Sequence, residues 1–138
     1  MDDNCIFCNI DKNRENEEII WENDEFIAFL DKRPIKPGHT LLIPKKHADF
    51  LFNLDDETYH KIMKTAKKLY NPLRKAMNSR TMGILLSGFE VLHVHLHLVP
   101  RDKPGEYNAG LKEASKEELH AVAEKIRDEI KKAGIVGI

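Results

Sequence analysis

The densest chemistry in the chain lies in His93-Val94-His95-Leu96-His97-Leu98-Val99-Pro100. Side chains on a strand alternate between faces, so His93, His95 and His97 take one face while Val94, Leu96 and Leu98 take the other. Successive imidazoles then stand about 7 Å apart, close enough to act on one ligand. The apolar side would pack into a core under helices. Rings that titrate near neutrality are costly as structure on a rigid sheet and useful as chemistry. Two chemistries fit the row. Two or three imidazoles can hold zinc, or one neutral imidazole can attack an electrophile while its neighbours orient it and manage protons. In phosphoryl or nucleotidyl transfer the second route passes through a phosphorus–nitrogen bond to histidine, which water later breaks. Spacing alone does not choose between them, and a merely solvated histidine face is the bland alternative.

Cys5 and Cys8 form a Cys-x-x-Cys. Such a pair is a redox couple, half of a zinc site, or two small buried hydrophobes. The redox option wants a helix after a strand, a context that Cys8 lacks, and the zinc option needs two further ligands. His60 and His120 fall on predicted helices without partners and read as surface residues. Lys45 and Lys46 read as solvated rather than as phosphate ligands.

These residues need a scaffold. Ile19-Ile20-Trp21 and Phe26-Ile27-Ala28-Phe29-Leu30 are β-rich and flank the polar Glu22-Asn23-Asp24-Glu25, which predicts a hairpin. Lys32 to Gly38, with Pro34 and Pro37, is a loop; His39-Thr40-Leu41-Leu42-Ile43 resumes strand character and stops at Pro44. Asp55-Asp56-Glu57 offers a cap and favourable charge to a helix whose apolar spacing runs through Tyr59, Ile62, Met63, Ala66, Leu69 and Tyr70. Asn71-Pro72 should end or kink it. Met82 to Leu86 and Val91 to Val99 read as strands around a Ser87-Gly88 turn. Ser115-Lys116-Glu117-Glu118 is a capping-box pattern opening a final helix over about 115–133, with Leu119, Val122, Ala123, Ile126 and Ile130 at helical spacing and Gly134 closing it. The order predicts an α+β domain with a largely antiparallel sheet.

Composition narrows the classes. A chain of 138 residues suits one domain, able to bury a core without staples. With 22 basic and 23 acidic residues the net charge is −1, which excludes a nucleic-acid binder working by bulk charge. No stretch approaches the roughly 20 continuous apolar residues of a membrane helix. The acidic opening Met1-Asp2-Asp3-Asn4 predicts no secretory signal, and two cysteines exclude a disulfide framework, leaving the cytosol as the expected compartment.

His93-Val94-His95-Leu96-His97-Leu98-Val99 resembles the His-φ-His-φ-His-φ-φ signature (φ hydrophobic) of the histidine triad family of nucleotidyl hydrolases and transferases. Pro37-Gly38-His39-Thr40-Leu41-Leu42-Ile43-Pro44-Lys45-Lys46-His47 is similar to that family's Pro-Gly-His strand and Pro-Lys-Lys-His end. Cys5-Ile6-Phe7-Cys8 and Phe29-Leu30-Asp31 resemble its N-terminal pattern. The resemblance implies an antiparallel sheet of about five strands with helices on one side, and a homodimer whose sheets join. It implies His95 as the nucleophile on the α-phosphate, His97 beside the leaving group and His39 completing the cluster. Asp31 would accept ribose hydroxyls, and the base would sit among Phe7, Ile10, Phe29 and Leu30, for which ordinary core is the alternative. It also implies structural zinc on Cys5, Cys8, His47 and His93, with no metal required for catalysis. One departure stands out. Where the family commonly has an Asn-containing, Gly-rich loop and a Gln, this chain reads Leu86-Ser87-Gly88-Phe89-Glu90-Val91-Leu92, so phosphate would meet backbone N–H groups around Ser87 and Gly88 or basic side chains nearby. The expected activity is hydrolysis of a purine nucleoside 5′-phosphoramidate, dinucleoside polyphosphate or related nucleotide; the rivals are a zinc-bearing nucleotide-binding or interaction module, and a hydrolase with zinc on the triad itself.

Overall fold

The computed structural model describes residues 5–86, 91–105 and 112–136. A five-stranded sheet runs in the order β1-β2-β3-β5-β4, with every neighbouring pair antiparallel. Its strands are β1 (Ile19–Glu22), β2 (Phe26–Leu30), β3 (Thr40–Pro44), β4 (Thr81–Leu86) and β5 (Leu96–Arg101), joined by helices α1 (Asp56–Met77) and α2 (Lys116–Lys132). The β1–β2 hairpin closes as its polar residues predict: the Asn23 side-chain oxygen accepts from the backbone N–H groups of Glu25 and Phe26 at 2.9 and 2.7 Å.

Period-two alternation gives the sheet two different faces. Ala28, Leu30, Leu42, Leu96 and Leu98 face the helices, where Ile62, Leu69 and Leu73 of α1 and Ala123 and Ile126 of α2 meet them in one core. Ile27, Phe29, Leu41 and Ile43 face the other way and are covered by the N-terminal segment through Cys5, Phe7, Cys8 and Ile10. Trp21 belongs to the helix-side core, and its indole N–H donates to the Val136 carbonyl at 3.2 Å, pinning the chain beyond α2. Buried Glu22 binds Arg14 and, at 3.0 Å, Lys45, tying the N-terminal segment to β1 and β3. Burial pushes its carboxyl up, but the two cations outweigh that and hold it below the ordinary carboxylate value.

Two elements depart from the sequence expectation. α1 does not end at Asn71-Pro72 but runs on to Met77, where Asn78 terminates it in the left-handed conformation at φ 51°. Proline inside a helix forfeits one backbone bond and costs about 3 kcal/mol; Leu69, Pro72 and Leu73, buried on one stripe, offset this by anchoring both sides of it to the core. The last strand is also shorter at its start. It begins at Leu96, so His93 and His95 lie in the irregular segment leading into β5, and only His97 is a strand residue. Final helix α2 is capped as expected, with the Ser115 hydroxyl accepting from the Glu118 N–H at 3.1 Å and Gly134 at φ +67° just past its end.

Candidate catalytic and metal-binding site

The sheet face away from the helices carries two clusters of chemistry. In the first, the N-terminal turn brings Cys5 and Cys8 to His47, just after β3, and to fully buried His93. Cys5 Sγ and Cys8 Sγ lie 3.5 and 3.4 Å from His93 Nδ1, Cys8 Sγ lies 3.1 Å from His47 Nδ1, and the two Nδ1 atoms are 3.2 Å apart. The ring protons follow from the outer partners. His93 Nε2 donates to the Pro44 carbonyl at 2.8 Å and His47 Nε2 to the Asp49 carboxylate at 3.2 Å, so both Nδ1 atoms turn lone pairs inward. Two lone pairs facing each other at that distance repel unless a cation lies between them. Bonds of about 2.3 Å to sulfur and 2.0–2.1 Å to nitrogen at tetrahedral angles require sulfur–nitrogen edges of about 3.5 Å and nitrogen–nitrogen edges of about 3.3 Å. The observed spacings fit such a group. Its histidines also carry the outer hydrogen bonds that orient metal ligands. Burial holds His93 below the ordinary imidazole pKa against the opposing pull of the Pro44 carbonyl, which keeps the ring neutral.

The second cluster is built from the β2 end, the β2–β3 loop and β5. Asp31 follows β2, His39 precedes β3, and His97 pairs across the ladder with Leu41. Gly38 makes the approach of His39 possible: it has φ +93°, and a Cβ there would lie 2.4 Å from Met77 Cγ and 3.2 Å from Pro100 Cγ. His39 Nδ1 accepts the Ile35 N–H at 3.0 Å, so in the neutral ring the proton sits on Nε2, which donates to His97 Nδ1 at 2.9 Å. Neutral His97 therefore carries its own proton on Nε2. Asp31 Oδ2 is 3.6 Å from His39 Nε2. Burial pushes the His39 pKa down, with Asp31 pulling the other way. This group points a proton, not a lone pair, at its centre; it is a relay rather than a metal cage. Zinc on the triad itself is thus the chemistry this geometry suits least.

His95 lies between the clusters, its ring 5.0 Å from those of His97 and Phe7. Its Nδ1 donates to the His93 carbonyl at 2.7 Å, which leaves the Nε2 lone pair available to an electrophile. Although only His97 is on a strand, the three triad rings acquire three distinct roles through their partners. Beside them opens a cleft of about 740 Å³ lined by Phe7, Ile10, Phe29 and Leu41 at its apolar base, with Asp31, Asn9 and Asn13 among its polar residues.

A HIT domain model matches residues 12–104. The chain belongs to the HIT family. It is 36% identical over 131 residues to an uncharacterized HIT-like protein of Borreliella burgdorferi, covering 90% of this chain and 91% of the relative. It is 33% identical over 136 residues to the adenosine 5′-monophosphoramidase of Schizosaccharomyces pombe, covering 92% and 98%. Among solved structures, a zinc-bound histidine triad family protein from Mycobacterium smegmatis superposes with a TM-score of 0.79 at 26% identity, covering 95% and 96%.

Within this HIT fold, His39, His95, His97 and Asp31 come together, as do Cys5, Cys8, His47 and His93. Phe7, Ile10 and Phe29 converge on the cleft. Leu30 borders the cleft as well, but its side chain belongs to the helix-side core, because strand alternation separates it from Phe29. Ser87, Gly88 and Phe89 lie outside the described residues. Sequence reasoning passed over Ile6, Asn9, Asn13 and Leu41 as cleft residues; Leu41 was findable, since it shares the Ile43 face. His120 is exposed as expected but not unpartnered, for it meets Glu18 at 3.1 Å, and Lys45 pairs with Glu22.

Proposed function

We propose that the protein is a nucleotidyl hydrolase or transferase acting at the α-phosphate of a nucleoside 5′-phosphoramidate, dinucleoside polyphosphate or similar purine nucleotide. The observation that carries this reading is the hydrogen-bond order: the His93 carbonyl on His95 Nδ1 leaves a lone pair to His95 Nε2, and the His39–His97 contact leaves a proton to His97 Nε2. In the first step His95 Nε2 attacks phosphorus, a nitrogen–phosphorus bond forms, and the bond from phosphorus to the leaving group breaks. The departing nitrogen or oxygen takes the His97 Nε2 proton, while the His39 Nε2–H bonded to His97 Nδ1 holds that ring in orientation until the attacking water returns a proton to His97 Nε2. Water then attacks the nucleotidyl-histidine, giving up a proton to His97 and releasing nucleoside monophosphate. Asp31 accepts ribose hydroxyls, Phe7, Ile10 and Phe29 enclose the base, and Ser87 and Gly88 are the residues assigned to the phosphate. The phosphoramidase activity of the Schizosaccharomyces pombe relative supports the substrate class.

Cys5, Cys8, His47 and His93 would hold zinc, which supplies a structural cross-link and no step of the reaction. The zinc-bound Mycobacterium smegmatis neighbour supports that assignment. The chain works as a single domain over residues 1–138, in the cytoplasm, as a homodimer. Outer strand β4 supports the last point, since it has no strand beyond it among the described residues and leaves Ile84 and Leu86 exposed. The test is AMP release from adenosine 5′-phosphoramidate under chelator, wild type against His95→Ala. Turnover in the wild type and its loss in the variant is the expected result; chelator-sensitive turnover that survives the substitution would overturn it.

A further inference from the structure

Between the metal cluster and the nucleotide cleft lies a single turn of chain, Cys5-Ile6-Phe7-Cys8. Its ends belong to the cluster, and its middle forms a wall of the cleft. The Phe7 ring meets His93 edge-on at 6.0 Å, the His95 ring at 5.0 Å and Phe29 at 5.9 Å, so one aromatic side chain touches a proposed ligand, the proposed nucleophile and the cleft base. Ile6, 61% exposed, lines the same cleft. The turn belongs to no strand. Inside it, the Cys8 N–H donates to Cys5 Sγ at 3.4 Å and Asn9 Nδ2 to the Cys5 carbonyl at 2.9 Å. Apolar packing, and whatever joins its two thiols to His47 and His93, are among the ties that fix the turn to the sheet.

We propose that this turn makes the metal cluster and the cleft one thermodynamic unit, with Phe7 as the positioning residue: a divalent cation on Cys5, Cys8, His47 and His93 tightens binding of a nucleoside monophosphate, and the nucleotide tightens the cation by the same factor. The reciprocity is obligatory once either effect exists. With the cation bound, Phe7 is held against His95 and the cleft keeps its shape before the ligand arrives. Without it, part of the binding energy is spent ordering the turn. The inference rests on the nucleotide and zinc reading above.

Calorimetric titration with AMP is made on the zinc-loaded protein and on chelator-stripped protein whose fold is verified by circular dichroism. The dissociation constant should rise about tenfold on stripping. A chromophoric chelator then measures zinc affinity with and without AMP, and the same factor is expected. Phe7→Ala should still bind zinc at unit stoichiometry while the two AMP constants converge; Phe7→Leu, which keeps an apolar contact, should retain most of the coupling. Should the stripped protein unfold, the cobalt-loaded protein replaces it: AMP must then shift the thiolate-to-cobalt absorption in the wild type and leave it unmoved in Phe7→Ala. Equal AMP affinity with and without metal in folded protein, or a cobalt spectrum indifferent to AMP, overturns the coupling while leaving the zinc site intact. Absence of stoichiometric zinc, or of AMP binding to the zinc-loaded protein, overturns the underlying reading and the coupling with it.

Discussion

His95, His97 and His39 are chemically identical side chains, and hydrogen bonds alone give them different work. A carbonyl on Nδ1 makes His95 a lone-pair donor at Nε2, while a backbone N–H on His39 Nδ1 sends a proton along the chain to His97. His95→Ala should lower AMP release by about 10³-fold or more, as removal of a nucleophile does. His39→Gln should lower kcat by about 10²-fold, the scale of a general acid left without its orienting partner. The sign of the pH effect on stability follows from burial. The folded pKa of His39 lies below its unfolded value, so its contribution is fully present above the unfolded value near 6.5 and is lost as pH falls through the folded one. Thermal midpoints measured from pH 7.5 to 5 should fall toward acid, and His39→Gln should flatten part of that slope.

At the scale of elements, one glycine and one turn set the site. Gly38→Ala should destabilise the fold by about 1–3 kcal/mol by strain at positive φ and by pressing on Met77, and should cut activity by displacing His39; chemical denaturation and turnover read the two effects separately. Much of the scaffold is legible in the sequence, because period-two runs such as Phe26–Leu30 and capping signals at Asp55 and Ser115 are local. What is not legible has longer-range causes. Nothing near Pro72 announces that Leu69 and Leu73 will hold a helix together across it. His93 and His95 read as strand residues by alternation, yet β5 begins at Leu96, since His93 turns its ring toward Pro44 and the thiols instead of along a ladder. The convergence of Cys5 with His93 spans 88 positions, which no spacing rule reaches; only the resemblance to the histidine triad family groups Cys5, Cys8, His47 and His93.

Across the whole molecule, the two faces of the sheet divide the labour. Metal analysis of the Cys5→Ala/Cys8→Ala protein should find stoichiometric zinc lost, and unchanged zinc would refute the ligand set. Size-exclusion chromatography with light scattering should find a dimer, and Ile84→Lys on the open edge of β4 should shift it to monomer. Leu73→Ala, inside the helix-side core, should cost about 2–5 kcal/mol in denaturant unfolding without altering the triad's chemistry, because the sheet lies between them.

The chain has one tryptophan, Trp21, and it sits in the helix-side core with its indole tethered to the backbone at Val136. That makes it a native optical gauge of a particular event. Its emission will redden when α2 and the residues after it peel from the sheet, while events among the histidines on the far face leave it unshifted. A titration that moves the fluorescence therefore reports the loosening of the helical layer, and a ligand that binds without moving it has stayed on its own side of the sheet.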